Sequence, residues 1–224
     1  PEDLFGHAES SKANYWLYTG CLENYPEQIA QLANKKTLLG NNQNVIRKCR
    51  SPEFISELAI DAAWHYPDAA IADASRTNNE FQSWISKPRL SAAGQSVQVW
   101  HSIPPATSER IAQLYIPGPT LGAACISNGS ETQVLGITRH LRMTRRLGVT
   151  RFQYCGSVGP LPLSDTLNAA ISTMASEIAS ECGIVGLFGL DLKIQNNQIW
   201  LLEINPRFTA SMDLLRDGTG ENLI

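Results

Sequence analysis

The sequence predicts a mixed α+β protein: helices first, then an antiparallel sheet region carrying one long packed helix. Three observations lead there. The first third holds amphipathic runs at helical spacing. From Phe81 onward the chain breaks into short β-like runs separated by turn signals. One helical stripe, Leu167, Ala170, Ile171, Met174 and Ile178, then interrupts the strands. With 224 residues, 43% hydrophobic and 17% charged, the chain suits one large or two small domains around a substantial core.

Taken in order, YPEQIAQLANK places Ile29, Leu32 and Ala33 on one helical face, with Pro26 in the first turn. Gly40 ends the short run TLLG. SPEFISELAIDAAW reads as a second helix, with Ser51 as N-cap, Pro52 at the first position and Glu53 and Glu57 early in it. Ala69 to Asn79 is polar and loop-like, a candidate domain boundary. FQSWISKP, SVQVWHS, RIAQLYIPG, TLGAACISNG, TQVLGITRHL and RFQYCGSVG read as strands, punctuated by Pro104-Pro105, Pro117-Gly118-Pro119 and Asn128-Gly129. Asn128-Gly129 suits a tight turn, and Ser127 and Ser130 permit a longer loop. DTLNAAISTMASEIASECG is the long helix, stopped by Gly183. GLFGLDLKI and QIWLLEIN form a hairpin through Asn196-Asn197.

Several function classes fall away. The net charge of −3 and pI of about 5.8 give no basic footprint for a general nucleic-acid binder. The five cysteines, Cys21, Cys49, Cys125, Cys155 and Cys182, are scattered and odd in number. They suit reduced thiols in a cytoplasmic protein better than a zinc site or a disulfide scaffold. No apolar stretch approaches the roughly 18 residues of a membrane span, and no signal peptide is present. No Walker A motif, GxGxxG helix opening or GxSxG elbow occurs. The histidines, His7, His65, His101 and His140, lack metal-ligand spacing. The chain opens at Pro1 without a methionine, so a preceding segment is expected.

The chemistry-bearing residues concentrate at the end of the hairpin. In WLLEINPRFTAS, Glu203 and Asn205 share one face of a strand otherwise apolar. With a two-residue loop, alternation pairs Asp191 with Leu202 and turns it away from Glu203. With an odd loop the two carboxylates oppose each other. They then repel, unless a cation sits between them. Asp191, Glu203 and Asn205 are hard oxygen donors suited to Mg²⁺ or Mn²⁺. The competing arrangement leaves Asp191 on the surface and pairs Glu203 with Arg207. Elsewhere, Lys87 closes a strand before the small-residue loop SAAGQS, whose backbone N–H groups could lie over phosphates or simply form a polar hairpin. QLYIPG marks a sheet edge. Arg139, His140, Arg142, Arg145 and Arg146 make a local positive field that either meets anions or faces water. In YCGSVGPLPL, Gly156 and Gly159 flank Ser157 in a turn that could present bare backbone.

In that order, WISKP with SAAGQS, QLYIPG, GLFGLDLKI and WLLEINPR resemble the ATP-grasp superfamily. LENYPEQIAQLANKKTLLGNNQNVIRKCRSPEFISEL looks like the linker from its preceding α/β domain. The likeness runs from about Leu22 to Leu215, and YCGSVGPLPL and EINPRFTAS are similar to carboligases related to biotin carboxylase. Some of those are tied to tetrahydromethanopterin-linked one-carbon metabolism. The resemblance implies an ATP-grasp fold of antiparallel sheets with packed helices. Residues 1–45 would be the tail of a pre-ATP-grasp α/β domain. Residues 46–224 would be the ATP-grasp domain, with a small nucleotide-gripping part at about 46–117 and a larger metal-binding part at about 118–224. It implies ATP as substrate, with Lys87 at the α-phosphate and the loop carrying Ser91, Gly94 and Ser96 over the β- and γ-phosphates. Gln113 and Tyr115 would hold adenine. Asp191, Glu203 and Asn205 would bind Mg²⁺ or Mn²⁺. Arg207 would neutralise the transferred phosphoryl group, with Arg139 acting from another side.

The implied reaction is ADP-forming ligation of a small-molecule carboxylate to an amine through an acyl phosphate, and a homodimer is compatible with it. A nucleotide-sensing module without catalysis and a phosphotransferase are the other readings. Two departures from the family pattern stand out. SAAGQS has one glycine where relatives have several, and alanine restricts φ. Gln113 stands where many relatives begin the adenine strand with an acid.

Overall fold

The computed structural model describes residues 2–67, 83–90, 92–105, 107–141 and 151–215. At the front, α1 (Glu2–Ser10) precedes a parallel pair, β1 (Tyr15–Trp16) and β2 (Thr37–Leu38). Between these strands lies α2 (Pro26–Ala33), which has Pro26 in its first turn and buries Ile29 and Leu32 as their spacing predicts. Asn42 caps α3 (Gln43–Cys49), accepting from the Asn44 and Val45 amides. Ser51 caps α4 (Pro52–Leu58), accepting from Phe54 N–H. The predicted helix ran on to Trp64; α4 stops at Leu58. Beyond it His65 bridges in parallel to Trp200, donating its N–H to Ile199 O at 2.8 Å and accepting from Leu201 N–H at 2.8 Å. That pairing draws the chain out, overriding a helical pattern. Trp64 is buried beside it and donates to Glu177 Oε2 at 2.8 Å.

A small antiparallel sheet follows, from β3 (Trp84–Pro88), β4 (Gln98–Trp100) and β5 (Arg110–Leu114) in the order β4-β3-β5. The end of β5 is a sheet edge, as QLYIPG predicts. The larger sheet takes β6 (Leu121–Ser127), β7 (Thr132–His140), β8 (Ser157–Val158), β9 (Gly186–Gln195) and β10 (Gln198–Asn205) in the antiparallel order β10-β9-β6-β7-β8. RFQYCGSVG yields only the two residues of β8. The β6–β7 turn centres on Gly129-Ser130, one residue past the expected pair. Asn128 N–H donates to Glu131 O at 3.0 Å, and Gly129 has φ +94°.

The core lies on one face of the large sheet. There α5 (Asp165–Cys182), capped by Ser164 and ended by Gly183 at φ +76°, buries Ile171, Met174, Ala175, Ile178, Ala179 and Cys182. Ala170, expected in the stripe, is exposed, because the buried face follows i, i+3, i+4, i+7 from Ile171. It packs on Phe188, Leu190, Leu192 and Leu201, with Val45, Cys49 and Ile55 of α3 and α4 completing the cluster. Each fully buried side chain there contributes about 1.5–3 kcal/mol, so Ile178→Ala is expected to cost about 2–5 kcal/mol.

The other face is built from small residues so that a 3₁₀ turn, Ala210–Leu214, can lie across half of it. A Cβ on Gly136 would meet Leu215 Cδ2 at 2.6 Å, and one on Gly189 would meet Thr209 Cγ2 at 2.7 Å. The neighbouring row on the same face is polar: Glu203, Asp191, Gly122 and Thr138 in register across four strands. All five cysteines are unpaired, with Cys49, Cys125 and Cys182 buried. Among the described residues no helix is long and apolar enough to cross a membrane.

Candidate nucleotide and metal site

The hairpin that carries the acids closes through two residues, not an odd number. Asn196 and Asn197 have φ of 51° and 61°, and Gln195 pairs with Gln198. Strict alternation from that turn would set Asp191 against Leu202. A bulge intervenes: Leu201 pairs with Leu192 and Glu203 with Asp191, leaving Leu202 as the extra residue. The register is thereby reset, and the two carboxylates oppose each other after all. The bulged residue has its own use, since Leu202 O accepts from Lys87 Nζ at 3.3 Å. That bond reaches from β3 of the small sheet to β10 of the large one.

Glu203 does not pair with Arg207. Glu203 Oε1 accepts from Arg50 Nη1 at 2.7 Å. Arg50, at the C-cap of α3, also donates through Nη2 to Asn24 Oδ1 at 2.8 Å and Arg89 O at 2.9 Å. Arg207 instead pairs with Glu23, at 2.7 Å from Nη2 to Oε1, with side-chain exposures of 13% and 1%. Its remaining bonds go to Phe208 O at 3.0 Å and Asn205 Oδ1 at 3.3 Å. Tyr18 and Asn41 fix the turn before it: Asn41 Nδ2 donates to Pro206 O at 3.0 Å, and Tyr18 Oη to Asn41 O at 2.7 Å. Asp191 Oδ1 lies 3.7 Å from His140 Nε2. Burial is the largest cause lifting the Asp191 carboxyl above its usual range, and the charge of Glu203 adds to it, against His140, Lys87 and Arg207. Burial likewise pulls Lys87 below its usual range, with Arg50 helping and Glu203 opposing.

A cleft lies between these groups, lined by Arg50, Ser51, Tyr66, Lys87, Arg89 and Glu203 together with apolar side chains. Lys87 and Gln113 share a face of the small sheet, since Lys87 pairs with Ile111 and Ile85 with Gln113. Gln113 is buried; Tyr115, just past β5, is half-buried. In the loop, Ser91 lies outside the described residues. The rest is docked on the chain at 152–154: Ala93 O accepts from Tyr154 N–H at 3.0 Å. A Cβ on Gly94, at φ +69°, would fall 1.9 Å from Phe152 O, so only glycine fits that approach. Ala93 and Ser96 adopt φ of 54° and 59° without being glycine. Ser96 O accepts from Arg110 Nη2 at 2.8 Å.

Arg139 is not brought to these groups. It pairs with Leu121, which pairs with Leu192, so it shares the core face of the sheet while Asp191 and Glu203 share the other. His140, one residue on, faces Asp191 instead. Arg142, Arg145 and Arg146 lie outside the described residues.

Sequence reasoning missed three charged groups here. Arg50 and Glu23 are remote in the chain from their partners, Glu203 and Arg207, and no local pattern marks them. Lys193 was legible, because two residues after Asp191 on one strand it must share its face. It is buried, donates to Ile116 O at 2.6 Å, and is pulled down to about 8 by burial and Arg151.

Asp191, Glu203 and Asn205 are oxygen donors in adjacent rows of one sheet face, and a hard divalent cation fits that chemistry. As placed, no three histidine, cysteine or acidic side chains gather as a metal set among the described residues. The geometry gives the reason: each donor is turned toward a basic side chain, Glu203 to Arg50, Asp191 to His140 and Asn205 to Arg207.

A family model for the ATP-grasp domain matches residues 48–211. The chain is 27% identical over 99 residues to the carbamoyl phosphate synthase large chain of Neisseria gonorrhoeae, covering 44% of this chain and 9% of that one. An ATP-grasp superfamily protein from Archaeoglobus fulgidus superposes with a TM-score of 0.66 and 19% identity, over 94% of this chain and 63% of that one. A biotin carboxylase–βγ-ATP complex from Campylobacter jejuni superposes at 0.73 and 12% identity, over 95% of this chain and 53% of that one. The chain thus spans less than two thirds of each relative.

Proposed function

Because this chain belongs to the ATP-grasp domain family, we propose that it catalyses ADP-forming ligation of a carboxylate to an amine in the cleft between its two sheets. The opposition of Asp191 and Glu203 on one face of the large sheet, with Lys87 reaching over from the small one, carries the reading. Two carboxylates facing each other destabilise the fold unless a cation joins them. In this proposal Asp191, Glu203 and Asn205 hold Mg²⁺ or Mn²⁺, which when bound supplies charge neutralisation on the nucleotide's phosphates.

The side chains of the protein then act by position and charge. Lys87 holds the α-phosphate side of ATP. The loop carrying Ser91, Gly94 and Ser96 covers the β- and γ-phosphates, and Gln113 and Tyr115 hold the base. Arg207 faces the phosphoryl group as it passes to the substrate carboxylate; the amine then displaces phosphate from the acyl phosphate. The carbamoyl phosphate synthase and biotin carboxylase relatives support ATP-dependent chemistry of this kind. We extend the proposal to the domains. A front α/β tail precedes the ATP-grasp domain. The small part runs to about residue 117 and the large part from about 118. The first boundary is proposed at about residues 45–46, which lies within α3.

The test is ADP release from MgATP in mixtures of small carboxylates and amines. Release that needs both is the expected result. Release with an acid or alcohol alone makes the protein a phosphotransferase. Tight nucleotide binding without release under any mixture makes it a sensor.

A further inference from the structure

Lys193 has no part in the chemistry proposed above, yet it is only 7% exposed and sits on the same sheet face as Asp191. Its Nζ crosses from β9 to the chain leaving β5, donating to Ile116 O at 2.6 Å, and lies 5.1 Å from the centre of the Tyr115 ring. Arg151 covers the same ring at 5.1 Å and donates to Tyr115 Oη at 3.0 Å. The end of β5 is thus flanked by N–H donors. A lysine has two N–H donors when neutral and three when charged, and Ile116 O takes one. Buried donors left unmatched are costly, so a group that enters here is selected for acceptors.

We propose that Lys193 determines nucleobase selection, admitting a 6-oxopurine nucleotide alongside an adenine one; this rests on the reading that Gln113 and Tyr115 hold the base. A 6-oxopurine offers two adjacent acceptors, O6 and N7, a pair that a lysine satisfies well. Adenine offers N7 but places an amino donor where O6 would be. Against Lys193 that amine meets a donor, and it must compete with Nζ for the Ile116 carbonyl. Removing the lysine frees that carbonyl for the adenine amine and takes away the partner of O6.

Calorimetric titration of the full-length chain with MgADP and MgIDP measures this without turnover. Inosine differs from adenosine at the 6 position without adding a 2-amino group. Wild type is expected to bind the two within about tenfold of each other. Lys193→Met is expected to shift the ratio toward ADP by about tenfold or more, the worth of a good base contact. Lys193→Arg keeps N–H donors and adds no acceptor, so it is expected to stay near the wild-type ratio, which controls for general damage to the pocket. A ratio unmoved by Lys193→Met, or moved equally by Lys193→Arg, overturns the proposal. If wild type binds neither nucleotide, the nucleotide-site reading itself fails and this proposal falls with it.

Discussion

Replacing Glu203 by glutamine keeps the shape of the side chain and removes its charge, separating a metal ligand from a structural ion pair. The partner is Arg50, 2.7 Å away, with side-chain exposures of 11% for Arg50 and 33% for Glu203. Exposed pairs are worth about 0–1 kcal/mol, and breaking a fully buried one costs about 3–5 kcal/mol. This pair lies between those limits. Arg50 keeps Asn24 Oδ1 and Arg89 O as acceptors, and the glutamine carbonyl can still accept from it. The loss should therefore be about 1–2 kcal/mol, toward the exposed limit. Against it stands the relief of Asp191, whose opposed like charge costs about 0.2–1 kcal/mol. The net expectation in EDTA is a loss of about 1 kcal/mol, or roughly 2–4 °C in Tm for a chain of this size. Mn²⁺ binding in the presence of nucleotide, read by electron paramagnetic resonance, should weaken by about tenfold or more once the carboxylate is gone. A loss of 3–5 kcal/mol with Mn²⁺ binding unchanged would refute the reasoning and make Glu203 the structural partner of Arg50.

Lys87→Ala should weaken MgADP binding by about tenfold or more while barely moving the urea midpoint, since the side chain's described bond is a 3.3 Å contact to Leu202 O; equal losses in both would make Lys87 structural. Glu23→Gln leaves Arg207 buried with its charge unanswered, so urea denaturation should show a loss of about 3–5 kcal/mol, and a loss under 1 kcal/mol would show that Arg207 does not depend on it. Asp191 has a folded pKa above its ordinary 3.8, so its ionised form destabilises the fold at neutral pH, and that cost vanishes once the pH falls below 3.8. Asp191→Asn should accordingly stabilise the protein in EDTA at pH 7 and not at pH 3; an equal gain at both would exclude an electrostatic origin.

The reading of the chain succeeded where function leaves a local pattern. Ser51 and Pro52 announce α4, Gly183 ends α5, and the alternation of Glu203 with Asn205 places both on one face. It failed where one residue resets a register. No side-chain pattern in IWLLEIN marks Leu202 as a bulge, because alternation and bulge differ only in backbone geometry. The same limit misplaced Arg139. A run of basic residues says that charge is present, but the pairing of Arg139 with Leu121 turns that residue to the core face and hands the site face to His140. The loop SAAGQS was read as glycine-poor, yet its one glycine stands where a Cβ would strike Phe152 O, and Ala93 and Ser96 take positive φ beside it.

The front segment bears on the chemistry more than its place in the chain suggests. The family match begins at residue 48, yet Glu23, Asn24 and Asn41 precede it, and each bonds to a group at the carboxylate end of β10 or to the arginine beside it. Glu23 neutralises Arg207, Asn41 holds the carbonyl of Pro206, and Asn24 helps anchor the arginine that covers Glu203. A guanidinium 13% exposed cannot stay ionised cheaply without such a partner. The orientation of Arg207 is therefore set by a carboxylate that precedes the matched residues. Arg50 works in the opposite sense. Asn24 Oδ1 and Arg89 O hold it independently of Glu203, so in the proposed site Glu203 could leave Arg50 for a metal without stripping that arginine of its acceptors. The strand end is thus anchored from the front segment on two sides: a buried acid, Glu23, fixes Arg207, and Asn24 helps fix the arginine that neutralises Glu203.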